Sequence, residues 1–205
     1  MRTFKIVIAF CLIYFGAIYN SFSQSSNEDF EKQKDSTIQE LSSSESELNE
    51  MLNSLDSNQW NFKPSEESWS VSEVCQHLLL IEAQYFDKIK NEILKNDVKD
   101  QKSVLTDNEL YGMVRNRENK VSTIPEFEPK DKISKKEFIR KFSVERKKTI
   151  ALLKQSGKEL RNHFGAFSPR VGEIDGFQWF IFIAGHNDRH NAQILEITEN
   201  SSFPK

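Results

Sequence analysis

Two of the four histidines of this 205-residue chain lie four residues apart near its C-terminus. His186 and His190 stand inside the apolar sequence FIAGHNDRHNAQILEI, residues 182–197, which is typical of a buried helix. Positions four apart on a helix differ by about 40° around its axis, so both imidazoles share one face. The same face carries Trp179, Ile183, Gln193, Ile194 and Ile197. We therefore expect both rings to point into the protein interior.

His77 is placed in a similar way on an earlier predicted helix. Its neighbours Val74 and Ile81 are apolar, so His77 lies on or at the edge of the face that this helix turns to the core. Metal sites in helical bundles are built from side chains on facing helices in this manner. Three imidazoles favour Zn, Ni, Fe or Cu and leave positions open for water or substrate. A divalent ion bound there would make hydroxide available near neutral pH.

Other interpretations of these residues stay open at the sequence level. A histidine on an apolar face is also a common core residue with a satisfied hydrogen bond, and pairs four apart arise by chance. Glu73 and Gln193 could orient an imidazole or contact a ligand, although Glu73 also fits a capping box with Ser70. Trp69 and Trp179 could wall a pocket over the metal, and core packing is their ordinary role. No general base stands out, so no catalytic residue is assigned.

Three further residues are poorer candidates for the site. Cys75 is two positions from His77, which places it about 200° away around the helix, so a buried thiol is the better interpretation. Asp188 is turned away from the face of the histidine pair, and His163 belongs to a glycine-containing stretch where a surface or capping role is expected.

The N-terminus predicts a signal peptide over residues 1–23. Arg2 and Lys5 precede an apolar stretch, residues 6–18, and small residues then occupy positions 21 and 23, which is the order of a cleavable export signal. An uncleaved anchor is the alternative, but this stretch is short against the roughly 20 apolar residues of a membrane span. We therefore expect an exported protein, periplasmic or extracellular, without stable membrane insertion after cleavage.

Composition limits the partners. Charged residues make up 29% and hydrophobic residues 37% of the chain, which is ordinary for a soluble globular protein. The formal net charge is −3, and loss of Arg2 and Lys5 makes it more negative, so nucleic acid is not an expected partner. Cleavage also leaves Cys75 as the remaining cysteine, so the fold has no internal disulfide.

The elements that must position the histidines are helical. After a flexible leader over residues 24–36, apolar residues recur at threes and fours to about Leu55, and a second helix follows the capping box of Ser70 and Glu73. A third begins at a capping box of Ser134 and Glu137, and the last covers residues 177–199. Residues 162–176 are interpreted as a loop, and no strand pair is predicted. The sequence thus predicts an all-α domain over residues 37–199, a four-helix bundle with a long crossover, and a tail over residues 200–205.

Two segments give the chain a family resemblance. WSVSEVCQHLLLIE, residues 69–82, followed by GFQWFIFIAGHNDRHNAQILEI, residues 176–197, resembles the DinB-like (DinB/YfiT-like) superfamily. The first matches a tryptophan-serine helix entry with a histidine on the helix. The second matches two histidines four apart, with Arg189 before the second and Gln193 after it. The resemblance covers roughly residues 36–198.

The resemblance implies a function as well as a fold. It implies a four-helix bundle with a crossover, a nickel or zinc ion on His77, His186 and His190, a small-molecule substrate, and in many members a homodimer. Characterised members of the family include thiol-dependent S-transferases, and other members are described as metal-dependent hydrolases. The export signal departs from the usual pattern and weakens the transferase interpretation, because low-molecular-weight thiols are mainly cytosolic. The alternative is a non-catalytic module that binds a metal or a small ligand.

Overall fold

The computed structural model describes residues 2–118 and 122–205, with side chains from residue 27 onward. The predicted signal peptide, residues 1–23, lies outside the part whose side chains are described. Within the described part, no helix combines the length and the apolar character needed to cross a membrane. The chain divides into two compact units, residues 1–36 and 37–205. The domain limits that we predicted, 37–199, stay a prediction.

Helices dominate the described residues. They are α1 (Arg2–Asn53), α2 (Ser57–Asn61), α3 (Val71–Asn91), α4 (Asp107–Arg115), α5 (Lys135–Gln155) and α6 (Gly176–Thr198). Residues 37–53 of α1 form the bundle with α3, α5 and α6, and the connection from α3 to α5 is a crossover that contains α4. The 3-10 helices Ile93–Lys95 and Pro125–Phe127 lie in the same connection. The predicted all-α bundle with a long crossover is confirmed.

The first helix extends further back than its apolar pattern. We expected a flexible leader over residues 24–36, but α1 covers this stretch. Within it, Lys34 and Glu31 form an ion pair of 2.6 Å one turn apart, a pairing that supports a helix of polar composition. Polar composition alone therefore did not mark the start of the helix.

The starts of α3 and α5 follow from their capping residues. The hydroxyl of Ser70 accepts from the backbone N–H of Glu73 at 3.2 Å, and the Glu73 carboxylate accepts from the N–H of Ser70 at 2.7 Å, which confirms the predicted capping box. Ser134 caps α5 in the same way at 3.2 Å. The Glu137 carboxylate pairs instead with Lys141 at 2.8 Å, so the second predicted box is only half formed.

The core of the bundle is built where α1, α3, α5 and α6 meet. Regular helical spacing places one apolar stripe of each helix on this interior, and burial of such stripes is the main source of bundle stability. The buried cluster consists of Leu48, Leu52, Leu55, Trp60, Val71, Val74, Cys75, Leu78, Phe138, Phe142, Ile194 and Ile197. It holds α3 and α6, which carry the three histidines, in fixed positions.

One predicted loop is a β-hairpin. Strands β1 (Phe164–Ser168) and β2 (Gly172–Asp175) pair antiparallel, with Phe164 opposite Asp175 and an irregularity near the turn. Our expectation of a loop over residues 162–176 was therefore wrong. These strands are short, and three glycines and a proline hide the alternation. Gly172 has a φ of +82°, the left-handed conformation that the turn requires.

Candidate metal centre

The structure brings together the three histidines that the sequence singled out. His186 and His190 project from one face of α6, and His77 meets them from α3. The Nε2 atom of His186 lies 3.3 Å from Nε2 of His77 and 3.2 Å from Nε2 of His190. One nitrogen from each ring, taken together, lies within 4.8 Å of the other two. His77 and His190 are buried, and His186 is partly accessible.

The outer nitrogens of two rings fix their tautomers. Nδ1 of His77 lies 2.8 Å from the backbone carbonyl oxygen of Phe127, and Nδ1 of His190 lies 2.8 Å from Oε1 of Gln193. A carbonyl oxygen only accepts hydrogen bonds, so both Nδ1 atoms carry the proton and donate. Both Nε2 atoms therefore direct a lone pair toward His186, the arrangement that second-shell acceptors impose on metal-binding histidines.

His186 is the ring whose bonding is incomplete. Its Nδ1 atom is buried, and among the described residues it has no hydrogen-bond partner. Its Nε2 atom faces the Nε2 lone pairs of His77 and His190. A proton on Nε2 of His186 can be donated to only one of these two rings at a time. A cation among the three Nε2 atoms would satisfy all three lone pairs.

The donor set suits a divalent metal. Two nitrogens on a tetrahedral Zn²⁺ with bonds of about 2.0–2.1 Å lie about 3.3 Å apart. The two short Nε2 separations, 3.3 and 3.2 Å, match this value. Neutral imidazoles also suit Ni, Cu and Fe, so the donor set identifies the class of ion and not the element.

The surroundings keep the cluster uncharged. Burial lowers the pKa of His77, and its bond to the Phe127 carbonyl offsets this in part. Burial, together with the neighbouring rings of His190 and His77, holds the pKa of His186 well below its ordinary value. Burial lowers the pKa of His190 to about 3. All three rings are therefore neutral at pH 7, the protonation state that binds a metal ion.

The remaining sequence candidates fall into two groups. The ring of Trp69 packs on His77 with centroids 5.1 Å apart, whereas Trp179 is buried against Tyr85 and Phe182. Phe182 in turn contacts the ring of His186 at 5.4 Å. Trp69 thus borders the cluster directly, and Trp179 supports the residues beside it.

Glu73 and Gln193, the two candidate orienting residues, have different surroundings. One oxygen of Glu73 accepts from the N–H of Ser70 and the other from Nζ of Lys63 at 3.3 Å, so both are engaged at the start of α3. Gln193 accepts from His190 and also from Arg117, whose guanidinium pairs with Glu196 at 2.7 Å. Gln193 is therefore the residue of the two that contacts an imidazole.

The residues that we set aside lie outside the cluster. Cys75 is fully buried in the core, and burial raises the pKa of its thiol, so it is unreactive there. His163 bonds through Nδ1 to the carbonyl of Asn96 at 2.9 Å. Asp188 accepts a hydrogen bond from Tyr111.

Sequence reasoning missed a buried polar network beside the histidines. Arg146 has no exposed surface and donates two hydrogen bonds to the carboxylate of Glu82, at 3.0 and 2.9 Å. Its other N–H groups reach the carbonyl of Leu41, the hydroxyl of Ser44 and Oδ1 of Asn187. All five guanidinium donors therefore have partners, drawn from α1, α3 and α6, the three bundle helices other than the α5 that carries Arg146.

The network continues along α6. Asn187 donates to Asn191 at 2.8 Å, and Asn191 donates to the carbonyl of Ser44 at 2.9 Å. Asn187 and Asn191 directly follow His186 and His190, so the same two turns of α6 serve both the cluster and the network. The spacing of Arg146, four residues after the core residue Phe142, was the available signal for its burial.

Comparison with known proteins agrees with the geometry. A family model described as the DinB superfamily matches residues 40–194. The uncharacterized protein YuaE of Bacillus subtilis (strain 168) is 33% identical over 153 residues, which is 72% of this chain and 88% of YuaE.

A solved structure has the same fold. YfiT from Bacillus subtilis, described as a probable metal-dependent hydrolase with an unusual four-helix bundle topology, superposes with a TM-score of 0.60 and 15% identity. The match covers 84% of this chain and 90% of YfiT. The family model, the relative and the shared fold agree, and the chain belongs to the DinB superfamily.

Proposed function

We propose that this protein is an exported metal-dependent enzyme that hydrolyses a small-molecule ester or amide. His77, His186 and His190 would hold the ion, zinc or nickel. The observation that carries the proposal is the meeting of three Nε2 atoms, two of them with lone pairs fixed by Phe127 and Gln193. The description of YfiT as a probable metal-dependent hydrolase supports the choice of reaction.

The chain's own residues prepare the site for this chemistry. A divalent ion held by three imidazoles, when bound, acts as a Lewis acid and makes hydroxide available near neutral pH. The two fixed tautomers direct ligand lone pairs inward without further rearrangement. Trp69 and Phe182 cover His77 and His186 with apolar surface, which limits the access of water.

Two other functions use the same three histidines. A thiol-dependent transferase would bind a substrate thiolate at the open position of the metal, and a non-catalytic module would bind a ligand there without turnover. Ester, amide and thiol-transfer substrates tested side by side separate the three functions.

The first experiment is a metal analysis of the purified protein, followed by these activity assays. We expect about one equivalent of a divalent metal and turnover that His186→Ala abolishes while the helical circular dichroism is retained. His163→Ala is the matched control, because His163 lies outside the cluster and should leave metal content and turnover unchanged. Tight metal binding without turnover above that of the free ion would favour the non-catalytic module.

The proposed export rests on the N-terminal sequence alone. Cell fractionation of the full-length chain should place it outside the cytoplasm, and N-terminal sequencing of the mature protein should begin at Gln24. A cytoplasmic protein that retains Arg2 and Lys5 would contradict export and leave the metal site unaffected.

A further inference from the structure

The carbonyl that fixes the tautomer of His77 belongs to an irregular part of the crossover. Phe127 ends the 3-10 helix Pro125–Phe127, and residues 128–134 continue without regular structure to the start of α5. Carbonyls in such segments do not receive the fixed directions that a helix imposes. Something outside the segment must therefore hold the Phe127 carbonyl toward His77.

Gln76, the residue before His77, contacts this segment. Its side chain is 8% exposed, and its amide bonds to both backbone groups of Asp131. Nε2 of Gln76 donates to the carbonyl of Asp131, and Oε1 accepts from the Asp131 N–H at 3.2 Å. A buried amide is costly unless its donor and acceptor are both satisfied, and here Asp131 satisfies both.

Consecutive residues of α3 thus hold two points of one short segment. Gln76 holds Asp131 and His77 holds Phe127, with Pro129 restricting the backbone between them. Among the described residues, Gln76 and His77 make all the hydrogen bonds that join residues 125–131 to another helix or strand. The Phe127 ring adds a stacked contact with Tyr85 at 5.6 Å.

We propose that Gln76 is a positioning residue for His77. By holding Asp131, it keeps the Phe127 carbonyl where it accepts the Nδ1–H of His77, so that the Nε2 lone pair faces His186. The effect on the tautomer follows from the hydrogen bonds of Gln76 and His77 described above. The effect on metal affinity rests on the proposed function.

The tautomer is tested in the metal-free protein by NMR of the ring nitrogens. Wild-type His77 should be protonated at Nδ1, whereas Gln76→Leu should populate both tautomers of His77 and leave His190, which is held by Gln193, unchanged. Gln84→Leu is the matched control, because Gln84 is exposed on the same helix. A folded Gln76→Leu protein in which His77 stays protonated at Nδ1 alone would overturn the proposal.

A second variant, Gln76→Glu, allows the same test if Gln76→Leu does not fold. Gln76→Glu keeps the size of the side chain and the acceptor for the Asp131 N–H, but an ionised carboxylate cannot donate to the Asp131 carbonyl. It should shift the His77 tautomers in the same direction as Gln76→Leu. The same readout applies, and an unchanged tautomer in both variants contradicts the role.

Zn²⁺ titration tests the consequence for metal binding. Gln76→Leu should weaken Zn²⁺ binding by about 10- to 100-fold, as removal of outer-shell partners does in metal sites. An altered tautomer with unchanged Zn²⁺ affinity would overturn the metal part of the proposal. If the wild-type protein binds no Zn²⁺ or Ni²⁺, the proposed function fails, and the tautomer experiment still decides the role of Gln76.

Discussion

The hydrogen bonds at Nδ1 of His77 and His190 determine whether the Nε2 lone pairs of these rings are available to an ion. Gln193 fixes the proton of His190 at Nδ1, so Gln193→Leu should release that ring and weaken Zn²⁺ binding by about 10- to 100-fold. Isothermal titration of the folded variant measures the change. Gln155→Leu, at an exposed position of α5, should bind as the wild type does. Equal affinities for Gln193→Leu and wild type would remove Gln193 from the site.

The neutral state of the cluster predicts a pH dependence of stability for the metal-free protein. The pKa of His190 is about 3 in the folded state, against about 6.5 in an unfolded chain, so the unfolded chain binds the extra proton between these values. The free energy of unfolding should therefore fall as the pH drops below about 6.5, by up to about 1.4 kcal/mol per pH unit for each ring that stays neutral.

Urea denaturation at pH 7, 6 and 5 in the presence of a chelator measures this dependence. His190→Gln removes one of the titrating rings and should flatten the slope. A stability that stays constant from pH 6.5 to 5 in the wild type would contradict the neutral cluster.

The four helices of the bundle are joined at Arg146. Replacement of Arg146 by Ala leaves the Glu82 carboxylate buried without its partner, and breaking a buried pair in this way costs about 3–5 kcal/mol. Arg146→Lys should also be destabilising, because an ammonium group cannot reproduce the forked contacts to Glu82, Ser44 and Asn187. Denaturant unfolding measures both variants. Arg140→Ala, at an exposed position of the same helix, should change stability by no more than about 0.5 kcal/mol.

Two glycines should respond in opposite directions to the same substitution. Gly172 occupies the left-handed region at the hairpin turn, so Gly172→Ala should destabilise by about 1–2 kcal/mol. Gly112 lies in α4, and a Cβ there would meet nothing within 4 Å. Gly112→Ala should therefore stabilise by about 0.5–1 kcal/mol, because alanine loses less backbone entropy in a helix. Thermal unfolding of both variants checks the pair, and a stabilising Gly172→Ala would contradict the hairpin.

The elements differ in how much of them the sequence could predict. Helical periodicity predicts α3 and α6, because local geometry fixes which positions share a face. The capping residue Ser70 also marks the start of α3. The hairpin was missed because strands of four and five residues are too short to show alternation among glycines. The spacing of Arg146 predicts that it faces the core, but its pairing with Glu82 depends on how α3 and α5 pack.

The residues of the candidate site also differ in whether the sequence could predict their role. The helical positions of the three histidines carry a sequence signal, and so does Gln193, three residues after His190. The Phe127 carbonyl carries none, since a backbone carbonyl is the same group in every residue. Its role depends on the path of the crossover, which no local pattern specifies.

Stability of the whole chain should depend on the ion. A ligand that binds only the folded state stabilises by about 2.7 kcal/mol at one hundred times its Kd, and this corresponds to a rise in Tm of roughly 5–10 °C for a chain of this size. Differential scanning calorimetry with Zn²⁺ and with a chelator measures the shift. His186→Ala should unfold at one temperature in both buffers. The same shift in this variant as in wild type would place the binding elsewhere.

Each histidine of α6 is followed by an asparagine, and neighbouring positions on a helix point about 100° apart. One inward side of α6 is therefore committed to the cluster and another to the network around Arg146. Rotation of α6 about its axis would break the second set of contacts even when no ion is bound. We therefore expect His186 and His190 to keep the same orientation with and without a bound ion.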